Sequence, residues 1–254
     1  ATLYVGLQGA ASLRRYNILT HTAGQQFFIG RDNFFGTYTF SDIAVSPGNP
    51  SVVAVARIHR GTSPPEAGTA IFDDGVQRTK TEPGHSVGSQ VLTFASPSLL
   101  YGDGDDGFAS MSVDSTGITV TGSGHFRSGN ALILANNLLY GSTGQVMDPS
   151  TGNLVGTFSN VTDSTSHVID VANGRAYFLV TEFFSGAVSI KAFDLNTFLP
   201  VGFVNIGGVT RSSGSLVRWG TNGLAFRTFD GKIFLIETSL VNASVPVASP
   251  TPSP

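Results

Sequence analysis

Short apolar segments rich in β-branched and aromatic residues recur along the chain at a roughly constant spacing. The clearest copies begin at residues 3, 52, 99, 138, 176 and 224, so that neighbouring copies start 38 to 49 residues apart. A third apolar segment follows each copy, and from the second copy onward another apolar segment with a turn precedes it. Several short strands per repeat of about 40 to 50 residues are typical of the blades of a β-propeller.

The turns between these segments favour hairpins. Asn136-Asn137, Asn173-Gly174 and Asn222-Gly223 each lie between two apolar runs. Asparagine and glycine tolerate the positive φ that both central positions of a type I′ turn require. Fourth strands are expected at residues 26–29, 118–121, 154–158 and 201–204, and no segment has helical spacing with caps. The pattern predicts an all-β protein, a β-propeller of about six four-stranded antiparallel blades.

The two terminal repeats differ from the others. The first repeat opens at its second strand, and the last stops after its third strand, so both terminal blades are expected to be incomplete. Either a further blade precedes them, which would give seven, or another subunit satisfies the open edges. Residues 1–244 are expected to form the propeller domain. Residues 245–254 are rich in proline, serine and threonine, and we expect an extended tail or linker there.

Composition narrows the function classes. Charged residues are 12% of the chain and the net charge is −3, with three scattered lysines, so that no basic surface attracts nucleic acid. Cysteine is absent, which excludes disulfides and thiolate sites. No apolar run approaches the roughly 20 residues that span a bilayer, so no membrane span is expected. The low charge and the many hydroxyl side chains favour an extracellular or cell-surface protein.

Four stretches carry a resemblance to a known family: residues 3–15, 42–50, 192–202 and 216–228. They resemble bacterial surface or secreted proteins with YVTN-type β-propeller repeats, and the resemblance covers nearly the whole chain apart from the tail. Members of that group typically have one more blade upstream of the Leu-Tyr-Val-Gly strand. The resemblance implies an exported surface protein, and it implies no catalytic residues.

One acidic loop is a weak metal candidate. Asp103, Asp105 and Asp106 could offer hard oxygen ligands to Ca²⁺, but they also suit an ordinary turn between the second and third strands. The five histidines show no metal-binding spacing, and no Gly-x-Ser-x-Gly elbow occurs. We therefore expect no metal, no cofactor and no catalytic site, with a hydrolase or lyase as the less favoured alternative.

Paired phenylalanines and candidate glycosylation residues are the other notable features. A pair on one strand or loop places at least one ring outward or between blades, and exposed rings mark interfaces. The interface candidates are Phe27, Phe28, Phe34, Phe35, Phe183 and Phe184. The glycosylation candidates are Asn160 and Asn242 in Asn-x-Ser/Thr sequons, and Ser249, Thr251 and Ser253 in the proline-rich tail.

Two further side-chain expectations concern strands. Arg14 and Arg15 are neighbours on one strand, so their side chains lie on opposite faces, and one of them is expected either to snorkel or to pair with an acidic loop. Trp219, the only tryptophan, is expected in the core.

Three functions remain open from the sequence. The leading hypothesis is a structural propeller that forms a homo-oligomer, surface layer or fibril, through exchange of terminal strands, and that carries glycans. The alternative is a carbohydrate- or ligand-binding propeller, similar to an adhesin or lectin, with a site where loops converge. An enzyme on this fold is the third.

Overall fold

The computed structural model describes residues 1–161, 164–182, 185–209 and 214–241. The chain divides into two compact units, with the boundary between Val155 and Gly156. The described residues contain 22 β-strands and three short 3₁₀ helices, at Gln8–Ala10, His85–Val87 and Ser239–Val241. None of these helices has the length and apolar character needed to cross a membrane.

The described strands form six antiparallel sheets in chain order. Sheet 1 contains β1 (Thr2–Leu7), β2 (Ser12–Asn17) and β3 (Thr22–Phe28). Sheet 2 contains β4 (Thr39–Val45), β5 (Val52–Ile58), β6 (Glu66–Asp73) and β7 (Val76–Gln77). Sheet 3 contains β8 (Val91–Ser96), β9 (Leu99–Gly104), β10 (Gly107–Asp114) and β11 (Gly117–Gly124).

Sheet 4 contains β12 (Leu132–Ala135), β13 (Leu138–Gly141), β14 (Gln145–Asp148) and β15 (Asn153–Thr157). Sheet 5 contains β16 (Ser164–Asp170), β17 (Arg175–Thr181), β18 (Val188–Asp194) and β19 (Pro200–Ile206). Sheet 6 contains β20 (Val217–Trp219), β21 (Gly223–Arg227) and β22 (Ile233–Glu237). Four sheets therefore have four described strands, and the two terminal sheets have three.

In sheets 2 and 5 the second strand is buried on both faces, which explains its continuous apolar sequence. In the first unit, Val52 and Ala54 of β5 pack with Met111 in one core cluster. Val53 and Val55, on the opposite face of the same strand, pack with another core cluster that contains Phe72. Burial of each such side chain contributes about 1.5–3 kcal/mol, so these layers between successive sheets hold the unit together.

The second unit uses the same arrangement with larger rings. Tyr177 and Leu179 of β17 pack with Phe226 of β21 in one cluster. On the opposite face, Phe178 lies 5.2 Å from the ring of Phe158. Because β17 contributes side chains in both directions, sheet 5 is the buried layer of this unit.

The turns form where the sequence predicts them, but with different backbone geometry. Asn136 and Asn137 both have positive φ, at 48° and 60°. In the Asn173-Gly174 turn the positive φ belongs to Gly174 alone, and the Gly174 N–H donates to the Val171 carbonyl at 3.2 Å. The hairpin prediction is therefore confirmed at these turns, whereas the type I′ geometry fits only the Asn-Asn turn.

The side-chain expectations for Arg15 and Trp219 have opposite outcomes. The Arg15 guanidinium contacts the Asp74 carboxylate at 2.6 Å and also donates to the Tyr4 hydroxyl and the Ser51 carbonyl, so the predicted pairing with an acidic loop is confirmed. Trp219 is 45% exposed, so its prediction as a core residue is wrong. Trp219 lies opposite Gly223 in the β20–β21 pair, and glycine has no side chain to cover the ring.

Candidate functional site

The exposed edge of β22 is the first candidate site. The third strand of a four-stranded sheet is covered by the fourth, and β6 and β18 are accordingly buried along most of their length. β22 holds the same third position in sheet 6, yet Ile233 is 72% exposed and Leu235 is 57% exposed. These side chains are as apolar as those of a covered third strand, but no described fourth strand covers them.

Backbone hydrogen bonds show which groups of β22 are available. The Thr228 N–H donates to the Lys232 carbonyl at 2.9 Å, and the Thr238 N–H donates to the Asn222 carbonyl at 3.2 Å. Hydrogen-bonded and non-hydrogen-bonded pairs alternate along an antiparallel ladder, and the β21–β22 pairing has no register shift. The N–H groups of Ile233 and Leu235 therefore face away from β21, towards a side where no described strand pairs with them.

The edge of β1 that faces away from β2 is the second candidate. The second strands β5 and β17 are buried almost throughout, whereas Leu3 and Val5 of β1 are exposed. The Ile18 N–H donates to the Ala1 carbonyl at 3.0 Å, so by the same alternation the N–H groups of Thr2 and Tyr4 face away from β2. No described strand pairs with this side either.

The candidate interface phenylalanines separate into two groups. Phe27 is buried and packs 5.3 Å from the ring of Phe72, whereas Phe28, Phe34 and Phe35 are exposed. Phe34 has 92% of its surface exposed, the largest fraction among the exposed large hydrophobic residues described. Phe183 and Phe184 lie outside the described residues. A surface role is therefore available to Phe28, Phe34 and Phe35, and Phe27 belongs to the core.

The structure separates the three aspartates of the acidic loop. Asp103 is buried, and its Oδ2 accepts from the Ser128 N–H and hydroxyl at 2.7 Å each. Asp105 is exposed and accepts from the Gln90 side chain, and Asp106 is exposed in the turn. Within the described ranges, no group of three His, Cys, Asp or Glu side chains is placed to hold a metal ion. Asp103 thus ties sheet 3 to the segment that leads into sheet 4.

Asp103 also predicts a pH dependence. Burial raises the pKa of Asp103, although the hydrogen bonds from Ser128 act in the opposite direction. The folded state therefore holds a proton on this carboxyl more tightly than the unfolded state, and this contribution to stability is lost as pH rises through the folded pKa. Asp103→Asn removes the titration. We compare the melting temperature of the variant with that of the unmodified protein at each pH. We expect the difference, variant minus unmodified protein, to be more positive at about pH 7 than at about pH 4. An equal difference at both pH values, measured by circular dichroism, would contradict this assignment.

The candidate glycosylation residues are only partly described. Asn160 is exposed on the segment between β15 and β16, with φ of 59°, and its carbonyl accepts from Lys191 Nζ at 2.9 Å. Its side chain is therefore accessible while its backbone is held. Thr162 of the same sequon lies outside the described residues, as do Asn242, Ser249, Thr251 and Ser253.

One cluster of polar residues was not predicted from the sequence. Asp32, His59 and Glu66 line a common cavity with Phe34 and Phe35 in the first unit. They belong to three separate segments, and no spacing along the chain relates them. The only signal was the Asp32-Asn33 pair before two phenylalanines, which is typical of a tight turn that presents aromatic rings.

Comparisons with known proteins identify the fold. No protein-family model matches the sequence, and no curated protein matches it. A chain of the "Crystal Structure of Mitotic Checkpoint Complex" superposes with a TM-score of 0.67 at 15% identity, over 93% of this chain and 71% of that chain. The dihydro-heme d1 dehydrogenase NirN in complex with DHE gives a TM-score of 0.62 at 12% identity, over 96% of this chain and 53% of that chain. This chain thus spans about half the length of that dehydrogenase.

A protein of unknown function from Bacteroides caccae is similar over nearly its whole length. It gives a TM-score of 0.59 at 15% identity, over 96% of this chain and 92% of that chain. At such low identity these likenesses carry information on the fold and on nothing further. The all-β fold predicted from the sequence, a β-propeller of six antiparallel blades, is confirmed, and the described part of each terminal sheet has three strands.

Proposed function

We propose that this protein is an extracellular, non-catalytic structural subunit that assembles with further copies of itself through the open edge of β22. The observation that carries the proposal is the exposure of Ile233 and Leu235 on a strand whose counterparts in the four-stranded sheets are buried. An exposed strand edge with free N–H groups and apolar side chains is a template for another strand.

A second copy is the occupant that the chain itself offers. Among the described strands, none pairs with the outer edge of β22 or with the edge of β1 that faces away from β2, so each copy offers two different edges for pairing. A contact that uses one kind of edge from each copy is heterologous, and it continues into a filament unless its rotation closes a ring. Backbone pairing of this type is β-strand addition.

Composition supports a surface-layer or fibril setting. Only 12% of the residues are charged, so copies can pack closely with little like-charge repulsion. The exposed Asn160 is an accessible position for a glycan on such an assembly. Export to the cell surface and a bacterial origin, which the YVTN-type resemblance implies, belong to the same proposal.

Leu235→Pro tests the edge directly. Proline removes the one N–H that faces away from β21 at this position and leaves the hydrogen bonds between β21 and β22 in place. We expect the variant to stay monomeric at concentrations where the unmodified protein forms filaments, as measured by sedimentation velocity and electron microscopy. The folded state is checked by its circular dichroism spectrum.

Leu235→Thr is the matched control, because it retains the N–H and shortens the apolar side chain. We expect it to assemble with a critical concentration raised about tenfold, which corresponds to about 1.4 kcal/mol of lost apolar burial per contact. A monomeric unmodified protein, or filaments of Leu235→Pro identical to those of the unmodified protein, would refute assembly through this edge.

A further inference from the structure

A cavity of about 500 Å³ opens in the first unit, where β5 ends and β6 begins. Its walls come from the turn that precedes β4, from the residue that follows β5, from the start of β6 and from the 3₁₀ helix His85–Val87. Aromatic rings and acidic groups line it together, and among the described lining residues there is no lysine or arginine. The cavity is therefore both apolar and acidic.

The turn that carries Phe34 is held rigidly. Asp32 Oδ1 accepts from the N–H groups of Phe34 at 2.8 Å, Phe35 at 2.6 Å and Gly36 at 3.3 Å. Burial alone would raise the pKa of Asp32, but these N–H groups and His59 lower it below its ordinary value. A charged Asp32 thus fixes the turn, and it holds the exposed ring of Phe34 at the rim of the cavity.

His59 completes this wall. Its Nε2 lies 2.6 Å from Asp32 Oδ2, and its ring lies between Phe35 and Tyr38, with centroids 5.0 Å and 5.1 Å away. The guanidinium of Arg57 lies behind Tyr38, 4.6 Å from the ring centroid, and donates to the carbonyl of Gly68. Asp32 and Arg57 therefore already have partners within the protein. His59 is paired through Nε2, and its Nδ1 is buried without a partner among the described residues.

Glu66 is the acidic residue of this cavity that has a buried carboxyl oxygen without a donor in the described part of the chain. The residue lines the cavity with only 2% of its surface exposed, and its Oε1 accepts from the Gln90 side chain at 2.5 Å. Its Oε2 is buried without a hydrogen-bond partner in the described part of the chain. Buried carboxyl oxygens in folded proteins are nearly always satisfied, so this oxygen indicates a missing donor.

We propose that this cavity binds the ammonium group of a small organic amine, with Glu66 as the acceptor and the rings of Phe34 and Tyr38 beside the alkyl chain. An ammonium group supplies the missing donor and the opposite charge together, whereas a sugar hydroxyl supplies only the donor. The rings of Phe34 and Tyr38 offer the alkyl chain an apolar surface, so they add affinity for the chain while Glu66 supplies the selectivity for charge. This binding function is separate from assembly through β22.

Calorimetric titration of the full chain with n-butylammonium and with 1-butanol tests the proposal. The two probes have the same shape and differ in charge. We expect n-butylammonium to bind at least about tenfold more tightly, since its hydrogen bond to the carboxylate is charge-assisted. Glu66→Gln should lower this affinity about tenfold while retaining an acceptor for Gln90. Phe34→Ala should weaken binding about threefold, because the alkyl chain loses an apolar contact.

Phe203→Ala is the matched control, because Phe203 is also exposed but belongs to the second unit and does not line the cavity. It should leave the affinity unchanged. Equal affinities for the two probes, no binding of n-butylammonium, or an unchanged affinity in Glu66→Gln would each overturn the proposal. Binding of methyl glucoside in place of the amine would also overturn it and would identify a carbohydrate site.

Discussion

Replacing Glu82 by alanine should lower the free energy of unfolding by about 4 kcal/mol, because three buried donors lose their common acceptor. The Glu82 side chain is 2% exposed. Its Oε2 accepts from the N–H groups of Thr69 at 3.1 Å and Ser89 at 3.0 Å, and its Oε1 accepts from the Ser89 hydroxyl at 2.7 Å. One carboxylate thereby ties β6 to the segment that leads into β8.

Charge adds to the effect. Arg57 is buried, and burial lowers the pKa of its guanidinium, while Coulomb interactions with Tyr38 and Glu82 act in the opposite direction. Glu82→Ala removes the negative charge of the carboxylate and leaves the buried cation less compensated. Truncating one member of a buried charged network is among the costliest single substitutions, because the remaining groups stay buried.

Glu82→Gln is the control for shape. Its amide oxygen can still accept from both N–H groups, and its NH₂ can donate to the Ser89 hydroxyl, which then acts as the acceptor. We expect a loss of about 1 kcal/mol, measured by urea denaturation of all three proteins. Equal stabilities of Glu82→Ala and the unmodified protein would show that water satisfies the three donors.

Sequence alone predicted the strands that are long or strongly apolar. Every predicted second strand is a strand of the structure, because short runs of β-branched and aromatic residues between turns favour strands. β7 was missed, since Val76–Gln77 is a two-residue strand after a turn at Asp74 and Gly75. A strand of two residues is too short to show a pattern of apolar and polar positions.

The open edges were predicted in part and the cavity not at all. Counting the strands of the first and last repeats predicted incomplete terminal blades, and the described part of each terminal sheet has three strands. The exposure of Leu235 and the direction of its N–H depend on the register of β21 and β22, which no sequence pattern gives. Asp32, His59 and Glu66 meet only because loops of sheets 1 and 2 converge. The burial of acids such as Glu82 was also not predicted, since a single charged residue in a loop is usually exposed to solvent.

Gly68→Ala should destabilise the protein by about 4 kcal/mol or more, through a clash that its backbone angle alone does not reveal. Gly68 has φ of 76° and lies in β6, opposite the register shift between Ala56 and Ile58 of β5. A Cβ at this position would lie 2.1 Å from the carbonyl oxygen of Glu82. Since that atom belongs to the backbone, the segment that follows β7 would have to move away from β6. The Glu82 carboxylate contacts would then be strained as well.

Gly48→Ala separates the two causes. Gly48 has nearly the same φ, 73°, but nothing lies within 4 Å of the position that an added methyl group would occupy, so the substitution adds only the strain of a left-handed backbone. That strain costs about 1–2 kcal/mol. Urea denaturation should therefore show Gly48→Ala to be folded and slightly weakened, and Gly68→Ala to be severely weakened or unfolded. Similar losses in the free energy of unfolding would contradict the clash. They would mean that the segment containing Glu82 moves away from β6 at little cost, and that the backbone angle accounts for both losses.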